Sequence, residues 1–217
     1  MDDDIRVRRY FIDTSTDFDG IYDNRGSAFN KLVNTVFRKG MGVRAKLTLE
    51  ACDPGKTLLD VGCGSGRISL PLAQKGLRVT GVDFSNTMID MAGEYSKAFE
   101  QWSGSRLDIR FLCMDFMKEF YEPNKYDITI AIGVLDYVNE PLDILRRMKE
   151  YTKEKMIVSY PAIYSPQSPI RKVWLWTKGC PVYYYNKKRL RSIYDTLGMD
   201  YNIIDIPAGF LAISRPR

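Results

Sequence analysis

The chain has 217 residues and a formal net charge of +5, and 45% of its residues are hydrophobic. This length fits a single domain, or one domain with a modest appendage, that needs no disulfide or metal to fold. Because the chain contains no histidine, Ser-His-Asp and Cys-His catalysis and histidine-ligated metals are excluded, and no apolar run approaches the roughly 18 residues that span a bilayer.

The first predicted elements are helical and occupy residues 1–50. Apolar residues recur there at positions 29, 32, 33, 36 and 37, which is the spacing of one helix face. The acidic start, Met1–Asp4, is unlike a secretory signal, so a cytoplasmic protein is expected. Asp53-Pro54-Gly55 breaks the chain soon afterwards. We therefore predict an N-terminal helical region at 1–50 and a main domain at 51–217.

Strands and helices alternate through the middle of the chain. The predicted strands are Thr57–Val61, Leu77–Val82, Leu107–Cys113, Tyr126–Ile132 and Lys155–Tyr160. The predicted helices are Arg67–Lys75, a helix capped by Ser85 that runs to about Trp102, and Pro141–Tyr151. Near-continuous apolar strands between helices predict a parallel sheet that is covered on both faces.

The C-terminal third changes character after the last of these strands. Three prolines between residues 161 and 169 predict an irregular connection, followed by a short helix from Ser168 to Lys178. A second helix, Lys187–Leu197, is predicted with Asn186 as its cap. Two further strands, Asp200–Ile206 and Gly209–Ser214, are close enough in sequence to pair as an antiparallel hairpin.

A glycine-rich segment, Leu59–Gly66, lies where the first predicted strand turns into a helix. Glycines at 62, 64 and 66 carry no Cβ that would hold a ligand away from the backbone, and the next helix begins with unpaired N–H groups. Asp83 ends the second strand, where a carboxylate can accept hydrogen bonds from both hydroxyls of a ribose. The pattern predicts a nucleoside site.

Three kinds of site compete for this segment. A dinucleotide site requires G-x-G-x-x-G/A, but Arg67 stands where the third small residue belongs. A P-loop ending in Gly55-Lys56-Thr57 is rejected because Glu50 replaces its first glycine and the strand follows the motif. The third kind is the glycine-rich turn of a methyltransferase.

Four motifs in chain order resemble those of class I (Rossmann-like) S-adenosylmethionine-dependent methyltransferases. Leu59–Gly66 resembles the first motif and Val79–Asp83 the second. Cys113–Phe116 resembles the third motif, and Tyr126-Asp127 with Val134–Val138 resembles the fourth, in which Tyr137 replaces the usual histidine.

The resemblance implies an α/β fold, a Rossmann-like three-layer sandwich with a mostly parallel seven-stranded sheet in the order 3-2-1-4-5-7-6 and an antiparallel C-terminal hairpin. It implies S-adenosyl-L-methionine as the cofactor and no metal. Asp83 would bind the ribose, Asp115 the adenine amino group, and Ile132 and Gly133 the methionine portion; Asp60 would either brace the turn or touch the cofactor. The residues expected to line the cofactor are Asp60, Gly62, Cys63, Gly64, Gly66, Asp83, Phe84, Met88, Asp115, Phe116, Ile132 and Gly133.

Methyl transfer from a sulfonium requires that the nucleophile be held roughly 3–3.5 Å from the methyl carbon in a dry site. A carboxylate acceptor needs no base, whereas a phenol gains from deprotonation. The candidate catalytic residues are Tyr22, Asp136 and Tyr137, each with packing or a lid role as the alternative. Phe18–Asp23 resembles a lid helix of small-molecule methyltransferases, and the arrangement of both chain ends resembles magnesium-protoporphyrin O-methyltransferases.

The substrate insert is predicted at about residues 160–185, where Trp174 and Trp176 lie beside Arg171 and Lys172. These aromatics either seat the insert on the sheet or form a pocket for an anionic acceptor. Residues 151–217 hold eleven Lys/Arg against four Asp/Glu, which indicates a solvated basic face or a region that attracts an anionic partner or a membrane surface.

We therefore predict O-methylation of a small aromatic or anionic molecule by a cytoplasmic enzyme. The alternatives are an RNA or other nucleic-acid methyltransferase, which no N/D-P-P-Y/F motif supports, and a non-catalytic S-adenosylmethionine-binding subunit. The four cysteines form no CxxC pair and are expected to be buried as small hydrophobes. The oligomeric state is left open.

Overall fold

The computed structural model describes residues 41–122, 124–163 and 181–217, together with Arg6. Within these residues, seven strands form one sheet in the order β3-β2-β1-β4-β5-β7-β6. The strands are β1 (Thr57–Val61), β2 (Arg78–Asp83), β3 (Ile109–Cys113), β4 (Tyr126–Ala131), β5 (Thr152–Pro161), β6 (Met199–Ile206) and β7 (Gly209–Pro216). Strands β1 to β5 are parallel, and β7 pairs antiparallel with both β5 and β6. The predicted strand order and hairpin are confirmed.

Helices cover both faces of this sheet. They are α1 (41–51), α2 (Ser69–Gln74), α3 (Asn86–Ser103), α4 (Leu142–Tyr151) and α5 (Lys187–Thr196), with a 3-10 helix at Leu135–Tyr137. Neighbouring residues on a strand point to opposite faces. Leu58 packs in the core layer shared with α1, α2 and α3, whereas Leu59 packs in the layer shared with α4 and α5. The predicted three-layer sandwich is confirmed.

Local capping sets where two of the helices begin. The Ser85 hydroxyl accepts a hydrogen bond from the Met88 N–H at 3.4 Å, and the Asn186 side chain accepts one from the Arg189 N–H at 2.8 Å. Both residues satisfy a backbone donor that the first helical turn leaves unpaired. The predicted caps are therefore confirmed.

Strand β5 begins three residues earlier than predicted, at Thr152. The added residues are polar, so the apolar run gave no sign of them. They lie at the start of the strand, where the Thr152 hydroxyl is 2.7 Å from that of Thr129 and Lys153 forms an ion pair of 3.7 Å with Asp127. Polar residues are satisfied there by side chains of the neighbouring strand.

The two ends of the predicted insert meet beside β5. Ala162 forms a parallel bridge with Tyr185, whose N–H donates to the Pro161 carbonyl at 2.9 Å. The helix predicted at Ser168–Lys178 lies outside the described residues. Residues 7–40 also lie outside them, so the domain division at residue 50 stays a prediction.

In the part of the chain that the structure describes, no helix is long and apolar enough to cross a membrane.

The cysteines do not all follow the expectation of burial. Cys52 and Cys63 are buried, but Cys113 is exposed, so that prediction is wrong for Cys113. The reason is position, because β3 is an edge strand of the sheet and Cys113 is its last residue. Cys180 lies outside the described residues.

Candidate functional site

The carboxyl ends of β1, β2, β3 and β4 lie side by side at one end of the sheet, and this row of strand ends is the edge meant below. The pairing of Val61 with Val82 and of Asp83 with Cys113 brings the ends of three neighbouring strands together. Ligands of open α/β sheets bind at such an edge, near the point where the strand order reverses. Here that point lies between β1 and β4, and the glycine turn follows β1 directly.

Asp83 connects the end of β2 to the glycine turn. Its Oδ2 accepts a hydrogen bond from the Gly64 N–H and its Oδ1 accepts one from the Ser85 N–H, both at 2.9 Å. Burial raises the pKa of Asp83, although these backbone donors act to lower it. A carboxylate offers about four acceptor positions, so the side chain retains capacity for ligand hydroxyls while it braces the turn.

The glycines of the turn serve different purposes. Gly62 has φ +70°, and a Cβ there would collide with the Val134 side chain. A Cβ on Gly66 would lie 2.9 Å from the Phe111 ring. Gly64 has φ +52°, and among the described residues the nearest neighbour of a Cβ there would be the Met88 sulfur at 4.0 Å. The missing Cβ therefore avoids collisions with neighbouring side chains at Gly62 and Gly66, whereas at Gly64 it leaves space for a ligand.

Asp60 braces the start of α2. The carboxyl is 2% exposed, and the Ser69 hydroxyl donates to its Oδ2 at 2.6 Å. Burial raises the pKa of Asp60 to about 7, with the Ser69 hydrogen bond acting to lower it and the charge of Asp83 to raise it further. This geometry favours the bracing role over direct contact with a cofactor.

Three predicted cofactor residues surround the turn. Cys63 is buried, its thiol lies 3.6 Å from the Gly64 carbonyl, and burial raises the pKa of the thiol well above its usual range. Met88 is 3% exposed and lies beside Gly64. Phe84 directly follows Asp83 and is half-buried. An inert thiol and two apolar side chains suit the flat face of a nucleobase.

Asp115 organises a turn after β3. Its Oδ1 accepts a hydrogen bond from the Met117 N–H at 2.9 Å, and its own N–H donates to the Glu119 carboxylate at 2.7 Å. The next residue, Phe116, is buried against Phe120 at a ring separation of 5.5 Å. Glu119 was not predicted from sequence, because a glutamate in a polar turn carries no distinguishing pattern.

Ile132 and Gly133 follow β4 at the same edge. Gly133 has φ +87°, and apart from its chain neighbours no atom of the described residues lies within 4 Å of the position that its Cβ would take. Its N–H donates to the Ser159 hydroxyl at 2.8 Å, which ties the end of β4 to β5. Ile132 is half-buried. The open backbone at Gly133 lies where the resemblance places the methionine portion of the cofactor.

The predicted catalytic residues fall into three situations. Asp136 is 2% exposed, with its Oδ2 at 3.9 Å from the Arg44 guanidinium. Tyr137 is half-buried on the same 3-10 helix, and its N–H donates to the Val134 carbonyl at 3.1 Å. Tyr22 lies outside the described residues. The buried ion pair favours a positioning role for Asp136, and the catalytic role of all three residues stays a prediction.

Asp127 lies near the start of β4, at the end of the sheet opposite to the glycine turn. Its Oδ2 accepts hydrogen bonds from the N–H and the hydroxyl of Thr57, both at 2.8 Å. Burial acts to raise the pKa of Asp127, but the bonds from Thr57 and the charges of Lys153 and Lys56 outweigh it and the pKa is lowered. This carboxylate joins β1 to β4 and is remote from the glycine turn.

The site as a whole fits a nucleoside attached to an amino-acid chain. Gly64 and Gly133 leave open space along the edge, Met88 supplies an apolar contact, and Asp83 supplies an anchored acceptor. Across the described residues, no group of three or more Cys, Asp or Glu side chains could hold a metal ion.

Comparison with known proteins agrees with this site. Residues 59–158 match the family described as "Methyltransferase domain". A ubiquinone biosynthesis O-methyltransferase from Coxiella burnetii is 34% identical over 92 residues, which are 42% of this chain and 37% of that enzyme. The corresponding Pseudomonas paraeruginosa enzyme is 32% identical over 99 residues, which are 46% of this chain and 40% of that enzyme. The match thus spans less than half the length of these relatives.

A solved structure is similar over the whole chain. The crystal structure of magnesium protoporphyrin IX methyltransferase from Synechocystis, with bound SAH, superimposes with a TM-score of 0.77 and 22% identity, covering 100% of both chains. At this identity the likeness supports the fold. The 3-2-1-4-5-7-6 sheet is a feature of that fold.

Proposed function

Because the chain carries a class I S-adenosylmethionine-dependent methyltransferase domain, we propose that it transfers a methyl group to an oxygen atom of a small aromatic or anionic molecule. The observation that carries the proposal is the anchored carboxylate of Asp83 beside the open backbone of Gly64. The acceptor atom is proposed from the relatives, because the enzymes from Coxiella and Pseudomonas are named O-methyltransferases.

Different residues at this edge would contact the ribose, the adenine and the methionine portion of the cofactor. S-adenosylmethionine, when bound, supplies a methyl group that its sulfonium makes electrophilic. Asp83 accepts hydrogen bonds from the ribose hydroxyls, while Met88 and Phe84 pack on the adenine. Gly133 leaves the end of β4 open for the methionine portion. Together these residues would hold the cofactor along the carboxyl ends of β1, β2 and β4.

The acceptor is proposed to approach from the side of β4 and β5. Tyr137 lies there on the 3-10 helix, half-buried, and its phenol oxygen can accept a hydrogen bond from the hydroxyl of a phenolic acceptor and so position that hydroxyl. A carboxylate acceptor needs no base, because it is already nucleophilic near neutral pH. The chain's main contribution is then to hold the acceptor in line and to exclude water.

Cofactor binding is tested with a matched pair of variants. Asp83→Asn removes the charge that receives the ribose, and we expect the Kd for S-adenosylmethionine to rise at least about tenfold. Asp127→Asn changes a carboxylate that also holds a backbone N–H, but at the opposite end of the sheet, and should leave the Kd unchanged. Titration calorimetry measures both, and equal Kd values for Asp83→Asn and the wild type would contradict the assignment.

Turnover is tested with S-adenosylmethionine labelled in its methyl group. We expect label in phenols or carboxylic acids of an aromatic acceptor panel that includes magnesium protoporphyrin IX. Label in RNA instead would favour the nucleic-acid alternative, with a binding constant that falls steeply with salt. Tight cofactor binding without label in any acceptor would favour the non-catalytic alternative.

A further inference from the structure

Ser159 is a fully buried polar residue in an apolar part of β5. Ile157, two positions earlier on the same strand face, and Leu211, its partner on β7, both belong to the core layer shared with α1, α2 and α3. A buried hydroxyl costs free energy unless it is hydrogen-bonded, and an apolar side chain would suit this layer as well. The hydrogen bond of the hydroxyl is therefore what distinguishes serine at this position.

That hydrogen bond lies where β4 and β5 separate. The last residue pair of these two parallel strands is Ala131 with Val158. Two residues after Ala131, the Gly133 N–H donates to the Ser159 hydroxyl at 2.8 Å, so a side chain takes the place of the backbone acceptor that a longer ladder would supply. Gly133 has φ +87°, which glycine adopts without a steric cost. The hydroxyl thus holds the bend at which β4 leaves the sheet.

The bend sets the path of the residues that follow it. Val134 packs so close to the glycine turn that a Cβ on Gly62 would collide with its side chain. The Val134 carbonyl accepts a hydrogen bond from the Tyr137 N–H at 3.1 Å, within the turn that forms the 3-10 helix. One short segment therefore connects Gly133, where the methionine portion is proposed to bind, to Tyr137 on the side of the acceptor. A displacement at Gly133 would alter both.

We propose that Ser159 is a positioning residue, whose hydroxyl holds Gly133 so that the end of β4 receives the methionine portion of the cofactor. This inference rests on the proposed function, because it takes the ligand to be S-adenosylmethionine. The ribose and the adenine are assigned to Asp83, Phe84 and Met88, which lie at the end of β2 and on α3. Loss of the Ser159 hydroxyl should therefore weaken the contacts of one part of the cofactor and spare those of the other.

The test compares two ligands that share adenine and ribose. S-adenosylhomocysteine carries the amino-acid chain, whereas 5′-methylthioadenosine lacks it. Titration calorimetry gives a Kd for each ligand, and the Kd for 5′-methylthioadenosine divided by the Kd for S-adenosylhomocysteine measures what the amino-acid chain contributes to affinity. A general loss of stability or of nucleoside binding would raise both Kd values together and leave this ratio unchanged.

Three variants are compared with the wild type. Ser159→Ala removes the hydroxyl. Ser159→Cys retains a side chain of similar size, but its sulfur is a weak acceptor. Ser214→Ala is the matched control, because Ser214 is also fully buried in the sheet and its hydroxyl donates to the Met156 carbonyl at 3.2 Å. Met156 lies on β5 three residues before Ser159, away from Gly133.

We expect Ser159→Ala and Ser159→Cys each to lower the ratio at least about fivefold, while the Kd for 5′-methylthioadenosine changes less than about twofold. Ser214→Ala should keep the wild-type ratio, although its Tm should fall by about 3 °C. An unchanged ratio in Ser159→Ala would overturn the proposal. A wild-type ratio in Ser159→Cys, or an equal fall in Ser214→Ala, would also overturn it, because core packing would then account for the effect.

Failure of this test is distinguishable from failure of the proposed function. If the wild type bound neither ligand, the cofactor site itself would be refuted, and the role of Ser159 with it. If the wild type bound both ligands and the ratio did not depend on Ser159, only the positioning role would be refuted.

Discussion

The buried carboxyl of Asp60 predicts an unusual dependence of stability on pH. Its pKa rises from 3.8 to about 7 on folding because the group loses its hydration. Between these values the folded state binds more protons than the unfolded state, so the free energy of unfolding falls as pH rises. Three pKa units correspond to about 4 kcal/mol, which is an upper limit for the stability lost between about pH 4 and pH 7.

Asp60→Asn removes this titration and retains an oxygen that accepts the Ser69 hydroxyl. We expect the variant to be as stable as the wild type near pH 4 and more stable above about pH 7, with the difference constant beyond it. Urea unfolding followed by tryptophan fluorescence across this range measures the free energy of both proteins. Parallel pH curves for the variant and the wild type would refute the reasoning.

Asp127→Asn gives the opposite sign within the same sheet. The pKa of Asp127 is lowered, so its contribution to stability is present above the usual aspartate pKa and is lost as pH falls below it. We therefore expect Asp127→Asn to be less stable than the wild type at neutral pH and to converge with it in acid. A common pH response in the two variants would show that neither carboxylate acts through its own titration.

Two further pairs of variants test the backbone. Ala208→Gly relieves a positive φ and should raise stability by about 1 kcal/mol, or about 3 °C in Tm, whereas Gly209→Ala forces a Cβ into the β5 backbone and should cost about 3 kcal/mol or more. Gly62→Ala should destabilise the fold by about 3 kcal/mol through its collision with a neighbouring side chain. Gly64→Ala should cost only about 1 kcal/mol and weaken S-adenosylmethionine binding at least about tenfold. Thermal melts measure the change in stability, and titration calorimetry measures the change in affinity for S-adenosylmethionine. If Gly62→Ala and Gly64→Ala lost stability and affinity in the same ratio, Gly62 could not be assigned to packing and Gly64 to ligand space.

The features that the sequence predicted well depend on neighbouring residues. Ser85 and Asn186 cap their helices through bonds to residues three positions away, so local pattern suffices. The place of Asp83 also follows from local pattern, because it ends a strand next to the glycine turn. The strand order and the implied cofactor came from the family resemblance of the four motifs.

The features that the sequence did not predict depend on residues far apart in the chain. Nothing near Arg44 indicates that it meets Asp136, because that contact exists only once α1 packs across the sheet. In a hairpin turn, glycine is usually expected at the position with positive φ. Here Ala208 has the positive φ, and Gly209 is required because a Cβ there would collide with the Tyr160 carbonyl of β5. The sequence did not predict that Cys113 is exposed, because whether a strand lies at the edge depends on the order of all the strands in the sheet.

The joined ends of the predicted insert have an evolutionary consequence. Ala162 and Tyr185 pair in a parallel β-bridge, and the Tyr183 N–H donates a hydrogen bond to the Asp136 carbonyl. The Tyr185 ring is fully buried. A segment whose two ends are clamped to a rigid core can be exchanged or lengthened at little cost, since doubling a loop adds only about 0.6 kcal/mol of closure entropy. Relatives of this chain could thus diverge in acceptor choice by replacing one cassette while the sheet beneath it stays the same.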